Sequence, residues 1–151
     1  MAALAGMFAV SSVLGGCGLI STEGAGRTVV VERVIDGDTF VTTDDERIRV
    51  LGIDTPEIGR DGADDEPCAR EAKQTTSGVL EGGEASIVTD SAAGDTDRYG
   101  RTLAYVETDG RDLGRELLEK GLADVYRAEP GITRFSDYVT AAAQAPAPAC
   151  Q

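Results

Sequence analysis

The chain of 151 residues contains no histidine and no tryptophan. The absence of histidine excludes histidine general bases, zinc sites built on histidine, and any mechanism that depends on an imidazole. Acid–base chemistry must therefore come from carboxylates, lysine or tyrosine. Aromatic residues make up only 5% of the chain and hydrophobic residues 41%. This composition allows one compact core with a thin margin, and the length is that of one small domain.

Positive charge is also scarce, because 14 Lys and Arg residues stand against 27 Asp and Glu residues, for a net charge of −13. Such a surface repels a polyanion at long range, which counts against a nucleic-acid ligand. Charges more than about 10 Å apart are largely screened at 0.1 M salt, so a few arginines at contact distance can still bind a phosphate. The simplest explanation for most of the acidic residues is a solvated surface.

The first twenty residues carry no charge at all. This apolar run ends near Leu14-Gly-Gly-Cys17, and a small-residue boundary after an apolar stretch is typical of a processing signal. The motif resembles the lipobox of bacterial lipoproteins, which implies cleavage before Cys17 and lipidation of that cysteine. The run lacks the usual basic residues, so a start further upstream or an uncleaved anchor are alternatives. We expect residues 1–26 to form an export signal or lipoprotein anchor with a linker, and residues 27–151 to form the domain of an exported protein, held at the cell envelope or extracellular.

Two cysteines remain in the expected domain, Cys68 and Cys150. In an exported protein an even pair suggests a disulfide, and two free thiols are the alternative. The bond would close a loop of about 80 residues, which the chain-entropy model values at roughly 4–5 kcal/mol at most.

Alternating β-branched residues and turn signals predict five strands, at residues 28–35, 39–43, 47–51, 84–89 and 100–107. Helices are predicted at residues 68–80, around 113–118 with Asp112 as the N-cap, and at 135–145. This order predicts an α+β, mainly β fold: a five-stranded Greek-key barrel of the OB type with two to three helices. An open five-stranded sheet is the alternative.

Two aspartates stand where predicted strands begin or end. Asp38 and Asp54 each follow a turn or close a strand, and in a curled sheet the ends of the second and third strands can meet. Two carboxylates with a backbone carbonyl and water suit a hard cation such as Ca²⁺ or Mg²⁺. For each aspartate alone, a local turn hydrogen bond is the alternative.

A glutamate and two arginines could provide chemistry beside such a cation. Glu57 follows Pro56, which fixes the backbone, so its carboxylate could orient or deprotonate a water; an ordinary surface glutamate is the alternative. Arg49 should face the opposite side of its strand from Ile48, and so is not a generic surface arginine. Arg49 and Arg101 could both bind a phosphate and stabilise its transition state. Ion pairs with the many carboxylates are the alternative for both.

These residues occur in a set of motifs that resembles the staphylococcal nuclease (thermonuclease) family over about residues 29–125. Asp-Gly-Asp-Thr alone is a weak signal, whereas Asp-Thr-Pro-Glu with an arginine five residues before its aspartate and Tyr-Gly-Arg downstream is a strong one. The motifs are Asp36-Gly-Asp-Thr39, Arg49-Val-Leu-Gly-Ile-Asp-Thr-Pro-Glu57, Arg70-Glu-Ala72, Asp97-Arg-Tyr-Gly-Arg101 and Gly121-Leu-Ala123.

The resemblance implies a five-stranded OB barrel with three helices. It also implies Ca²⁺-dependent hydrolysis of DNA and RNA to products that carry 3′-phosphates. At the matching motif positions, Asp38 and Asp54 resemble the carboxylate ligands of calcium. Thr55 resembles the residue that offers its backbone carbonyl. Nucleic acid is then the expected partner, with the membrane contacted through the N-terminal anchor and the domain itself a monomer.

The resemblance also assigns the remaining candidates. Glu57 resembles the proposed general base that activates or positions water. Arg49 and Arg101 resemble the two arginines that bind phosphate and stabilise the transition state, while Asp97 and Tyr99 fall within the motif beside the substrate.

Secreted members of the family have a familiar disulfide that Cys68 and Cys150 would match. The chain departs from the family pattern in its net charge, in its short Ala- and Pro-rich last helix, and in the acidic loop after Glu57. That loop contains Asp61, Asp64, Asp65 and Glu66. Two other functions remain open: a catalytically weak OB-fold binding module at the cell envelope, and a structural envelope lipoprotein.

Overall fold

The computed structural model describes residues 23–128, 130–148 and 150. The predicted lipidation site Cys17 and most of the predicted 1–26 segment lie outside the described residues. Within the described ranges, no helix has both the length and the apolar character needed to cross a bilayer.

Eight strands and three helices occur in the described ranges. The strands are β1 (Arg27–Val34), β2 (Thr39–Thr42), β3 (Arg47–Val50), β4 (Ile53–Asp54), β5 (Glu84–Val88), β6 (Thr102–Thr108), β7 (Arg111–Asp112) and β8 (Asp124–Val125). The helices are α1 (Ala69–Leu80), α2 (Leu113–Glu119) and α3 (Phe135–Gln144).

Five of the strands close into a barrel. β1, β2 and β3 form an antiparallel meander, β5 pairs antiparallel with both β1 and β6, and β6 runs parallel to β3. The β3–β6 pairing joins the two ends of the sheet, so the barrel leaves no open edge between them. The predicted OB-type barrel is therefore confirmed, and the open sheet is wrong.

The barrel interior follows the predicted alternation on β3. Ile48 and Val50 are fully buried, while Arg47 is exposed and Arg49 lies at the barrel mouth. The helices cover the barrel with short apolar stripes, such as Ala69, Ala72 and Leu80 on α1 and Leu113, Leu117 and Leu118 on α2. The small core predicted from composition thus combines the barrel interior with the apolar stripes of the helices that pack against it.

The predicted element ends differ from the observed ones by a few residues. The last barrel strand begins at Thr102 instead of residue 100 because Gly100 completes a turn, with a φ of 74° and its N–H bonded to the Asp97 carbonyl at 3.0 Å. The short strands β4, β7 and β8 were not predicted, because two residues show no periodicity. Asp112 is confirmed as the α2 N-cap and accepts the Arg115 N–H at 3.0 Å.

A disulfide joins Cys68, at the start of α1, to Cys150, with 5.3 Å between their Cα atoms. The pairing expected for these cysteines is confirmed, and the free-thiol alternative is wrong. The C-terminal tail reaches α1 by crossing the end of α2, where a side chain on Gly121 would lie 2.7 Å from the Pro146 carbonyl oxygen. The disulfide and this close contact hold the tail against the barrel.

Arg134 fastens α3 to the barrel through a network that the sequence did not reveal. Its guanidinium forms ion pairs with Glu23, Glu107 and Asp112 and lies 4.3 Å from the centroid of the Tyr105 ring. These partners belong to the segment before β1, to β6 and to β7. One side chain therefore joins the segment before β1 and the β6–β7 hairpin to the start of α3.

Candidate functional site

Barrel closure brings three of the motifs to one mouth of the barrel. They are the motifs at residues 36–39, 49–57 and 97–101. Thr39 of β2 lies opposite Arg49 of β3, and Arg49 lies opposite Leu103 of β6. The turn before β2 and the turn before β6 therefore flank Arg49 at the same level. Glycine and aspartate in the turns, and the strand register, fix which side chains meet.

The turn from Asp36 to Asp38 packs tightly against α1. A Cβ on Gly37 would lie 2.8 Å from the side chains of Ala72 and Thr55, so only glycine fits without displacement. The Thr76 hydroxyl of α1 donates a hydrogen bond to the Gly37 carbonyl at 2.6 Å. The helix thus supports the turn that presents the Asp38 carboxylate.

The buried Asp38 carboxylate joins the first two motifs. Its Oδ2 accepts hydrogen bonds from the backbone N–H and the hydroxyl of Thr55, at 2.8 and 3.0 Å. Its Oδ1 accepts from the Thr39 hydroxyl at 3.0 Å and lies 3.2 Å from Arg49 Nε. The local turn role belongs instead to Asp36, whose Oδ1 accepts the Asp38 N–H at 3.2 Å. The turn-only alternative is therefore wrong for Asp38.

Arg49 is held rigidly between the two predicted calcium ligands. Its Nη2 donates to Asp54 Oδ1 at 2.7 Å, and its Nη1 donates to the carbonyls of Val50 and Ile53 at 2.8 and 2.7 Å. Only 12% of the side chain is exposed. The ion-pair alternative is thus present as well, and its partners are the motif carboxylates themselves.

Asp54 lies among other negative charges. Burial raises its pKa, Arg49 lowers it, and the charges of Asp38, Asp124 and Glu66 raise it further, so that the net change is upward. Like charges that are crowded in this way favour a cation between them.

Asp97 positions the second arginine. Its Oδ1 accepts the N–H groups of Tyr99 and Arg101 at 2.8 and 3.0 Å, and its Oδ2 accepts from Arg101 Nε at 2.7 Å. Burial favours a higher pKa for this carboxyl, but the hydrogen bonds from Arg101 and Tyr99 outweigh it and lower the pKa. Arg101 Nη1 also reaches the Thr39 hydroxyl at 3.3 Å. Thr39 therefore connects Arg101 to Asp38.

Glu57 is exposed at the neck of a closed loop. Its backbone N–H donates to Glu66 Oε2 at 2.9 Å, and the Glu66 N–H donates to the Glu57 carbonyl at 3.0 Å. The carboxylate also influences Asp36, whose pKa is raised to about 6 by burial and by the charges of Asp38 and Glu57. The loop neck thus fixes Glu57 close to the aspartate turn.

The motif side chains share one open cleft of about 460 Å³. Its lining includes six of the predicted residues: Arg49, Asp54, Glu57, Asp97, Tyr99 and Arg101. Asp38 lies behind Arg49, and Thr55 lines a neighbouring hollow of about 230 Å³ beside Asp54.

Several residues of the site were missed from the sequence. Arg98 and Tyr126 line the cleft, Thr39 links its two halves, and Glu66 binds the backbone of Glu57. Arg98 and Thr39 stood inside motifs already recognised. The signal for Tyr126 was an aromatic residue three positions after Gly121-Leu-Ala123, in a chain with few aromatics. Tyr126 is 42% exposed.

The atoms that could ligate a cation at this site are all oxygens, which fits a hard cation such as Ca²⁺. Asp38 and Asp54 would provide carboxylates and Thr55 its carbonyl. Among the described residues, no group of three or more acidic or cysteine side chains converges closely enough to hold a metal ion. A cation here would therefore complete its coordination with water and substrate oxygens.

A family model described as "Staphylococcal nuclease homologue" matches residues 47–147. The match includes Arg49, Asp54, Glu57, Asp97 and Arg101, and Asp38 precedes it.

Curated relatives agree with the family match. The chain is 36% identical over 106 residues to a thermonuclease of Staphylococcus intermedius, which covers 68% of this chain and 62% of the relative. It is 36% identical over 114 residues to the SPbeta prophage-derived endonuclease YokF of Bacillus subtilis (strain 168), covering 72% of this chain and 38% of the relative. It is 35% identical over 114 residues to endonuclease YncB of the same strain, covering 72% and 53%. The chain spans less than two thirds of the length of each of these relatives. Since the family match takes in well over half of its residues, the chain belongs to the staphylococcal nuclease homologue family.

Proposed function

We propose that the protein is a calcium-dependent nuclease that hydrolyses phosphodiester bonds of DNA and RNA and leaves 3′-phosphate products. The observation that carries this proposal is the convergence of Arg49, Glu57 and Arg101 on one open cleft. Relatives named as thermonuclease and endonucleases support it.

The two arginines would bind the scissile phosphate from both sides of the cleft. Their planar guanidinium groups match phosphoryl oxygens and stabilise the extra negative charge of a five-coordinate transition state. Both are held in place before substrate arrives, Arg49 by Asp38 and Asp54 and Arg101 by Asp97. Little of the binding free energy is then lost in ordering these long side chains.

Glu57 would act as the general base. Its carboxylate accepts a proton from a water molecule as the water oxygen attacks phosphorus, and the bond to the 5′-oxygen breaks. The 5′-oxygen leaves as a hydroxyl after taking a proton from solvent, and the phosphate stays on the 3′-oxygen. Ca²⁺ held by Asp38, Asp54 and the Thr55 carbonyl would supply positive charge that offsets the acidic surroundings.

Cleavage of denatured DNA and of RNA by the purified full chain tests this proposal. We expect cleavage with Ca²⁺, none with excess chelator, and products whose 3′ ends become extendable by a polymerase only after phosphatase treatment. Arg49→Ala, Glu57→Ala and Arg101→Ala should each lower kcat by about 10²–10³-fold. Arg33→Ala, an exposed cation on β1, is the matched control. An intact, folded wild type that cleaves neither substrate at any salt concentration with Ca²⁺ would refute the proposal.

A module that binds nucleic acid, a peptide or a protein partner without cleaving it is the second candidate, because the net charge of −13 disfavours turnover of a polyanionic substrate. It predicts binding without turnover, and no loss of binding in Glu57→Gln. Turnover that is lost in Glu57→Gln while binding persists would exclude it.

Export to the cell envelope or the medium is part of the same proposal, with a monomeric domain attached to the membrane through a lipid on Cys17 or through the N-terminal apolar segment. The disulfide supports an oxidising compartment. The intact mass of protein extracted from membranes should show cleavage before Cys17 and an added lipid. A mass that equals the unmodified chain would contradict lipidation, and sedimentation of the purified protein tests the monomer.

A further inference from the structure

A second groove of about 700 Å³ lies beside the catalytic cleft. Glu57, Tyr99 and Arg101 line both hollows, so the two are continuous across these three side chains. The far wall of the groove comes from the start of β3 and from the loop after Glu57. Its other charged lining residues are Asp36, Arg47, Arg60, Asp64 and Glu66.

Most of the positive charge in this acidic protein is already paired. Ten of the 14 Lys and Arg side chains lie within 4.0 Å of a carboxylate oxygen of another described residue. In the described ranges, the four that form no ion pair of this kind are Arg47, Lys73, Arg98 and Arg127. Arg98 lines the catalytic cleft, and Arg47 lines the second groove.

Arg47 is well placed to meet a chain that leaves the catalytic cleft. It is exposed at the first position of β3, two residues before Arg49, so both side chains project from the same face of the strand. A polyanion that passes Arg101 into the groove therefore meets a cation that has no carboxylate partner to displace among the described residues.

The carboxylates of the groove are partly occupied. Asp36 is buried and lies 3.6 Å from the guanidinium of Arg60, and Glu66 accepts the Glu57 N–H. Asp64 is exposed on the loop and leaves its charge facing the groove. In the described ranges, Arg47 and Asp64 are the charged residues lining this groove alone whose side chains form no ion pair or hydrogen bond, and Glu57, shared with the cleft, adds a second unpaired carboxylate.

We propose that this groove binds the phosphate next to the scissile one, with Arg47 as its cation, so that the protein engages internal bonds of a polynucleotide. The proposal rests on the proposed nuclease function for the path of the substrate. It assigns to Arg47 a role in substrate length preference and none in bond cleavage itself.

Binding and cleavage of substrates with one or many phosphates test the groove. We expect Arg47→Ala to weaken binding of a fluorescent single-stranded oligonucleotide by roughly three- to tenfold at 0.1 M salt. The slope of log K against log salt should fall by about 0.7, the value for one lost phosphate contact on a single strand. The KM for long denatured DNA should rise by a similar factor with kcat unchanged, and a nitrophenyl phosphodiester of thymidine should be cleaved as by the wild type.

Two further variants are the controls. Arg33→Ala removes an exposed cation from β1, outside both hollows, and should change neither binding nor the salt slope. Asp64→Asn removes the opposing charge and should tighten oligonucleotide binding. The role of Arg47 would be refuted if Arg47→Ala and Arg33→Ala changed oligonucleotide binding equally. It would also be refuted if Arg47→Ala lowered cleavage of the single-phosphate substrate as much as cleavage of long DNA. If the wild type binds the oligonucleotide but cleaves nothing, the nuclease proposal fails while the binding comparison still decides the role of Arg47.

Discussion

Replacing Asp97 by alanine removes three hydrogen-bond acceptor contacts at once. Two of them satisfy the N–H groups of Tyr99 and Arg101, and the third is charge-assisted and holds the Arg101 guanidinium at 2.7 Å. A neutral hydrogen bond contributes about 1 kcal/mol and one to a charged group about 1.5–3 kcal/mol. Because water can partly replace these contacts at a side chain that is 16% exposed, we expect Asp97→Ala to lower the free energy of unfolding by about 2–4 kcal/mol.

The amide variant Asp97→Asn separates the fold from the function. Its side-chain oxygen can still accept the two backbone N–H groups, so the loss of stability should be only about 1–2 kcal/mol. It no longer attracts the Arg101 guanidinium, and a misplaced transition-state donor costs about 10²-fold in kcat. Urea unfolding monitored by far-UV circular dichroism, together with steady-state kinetics on denatured DNA, measures both quantities.

The pH dependence gives the sharpest test of this reasoning. The folded state lowers the pKa of Asp97, so its contribution to stability is present above the ordinary pKa of about 3.9 and is lost as the pH falls through the lower folded value. The stability advantage of the wild type over Asp97→Asn should therefore be full at pH 7 and shrink at acid pH. A difference in unfolding free energy between the wild type and Asp97→Asn that stays constant from pH 7 to acid pH would refute the role assigned to this carboxylate, and so would an unchanged kcat in Asp97→Asn.

Three other changes test the supports of the site. Glu66→Ala should lower kcat on DNA with little change in KM, because the hydrogen bond that closes the loop at Glu57 is lost. Glu66→Gln keeps an acceptor oxygen and should retain the wild-type kcat. Equal kinetics for the two variants would contradict the role of Glu66 in positioning Glu57. Gly37→Ala should cost about 1–3 kcal/mol of unfolding free energy, measured by urea titration, because its Cβ would stand 2.8 Å from two side chains. Replacing Cys68 and Cys150 together by serine should lower the free energy of unfolding by up to about 4.5 kcal/mol, as the chain-entropy model gives for a separation of 82 residues. A thermal midpoint equal to that of the wild type would show that the disulfide does not stabilise the fold.

The five barrel strands could be predicted from the sequence because alternation and turn residues are local signals. The predicted strand at residues 84–89 corresponds to β5 (Glu84–Val88), and the one at 47–51 to β3 (Arg47–Val50). Local signals failed for β4 and β8, because each has two residues and exists only through its pairing with the other.

The candidate site was predictable only as a set of residues. Arg49, Glu57 and Arg101 stood in recognisable motifs, and the structure brings them to one cleft. The contribution of Glu66 was not predictable, since its carboxylate looked like part of an acidic loop. Its hydrogen bond to the Glu57 backbone depends on how that loop closes.

The order of the barrel strands along the chain, the motif residues and the pair of cysteines were predictable without a structure, since each of these depends on neighbouring residues or on residue type. Tertiary contacts were needed to show that Asp38, and not Asp36, joins the two motifs. They also show that Arg47, beside the cleft, forms no ion pair with the described residues, whereas most other cations do. These outcomes depend on contacts between distant positions, such as the hydrogen bond from Arg101 to Thr39 across 62 residues. Such contacts form only when the barrel closes, because the parallel pairing of β3 with β6 sets their register.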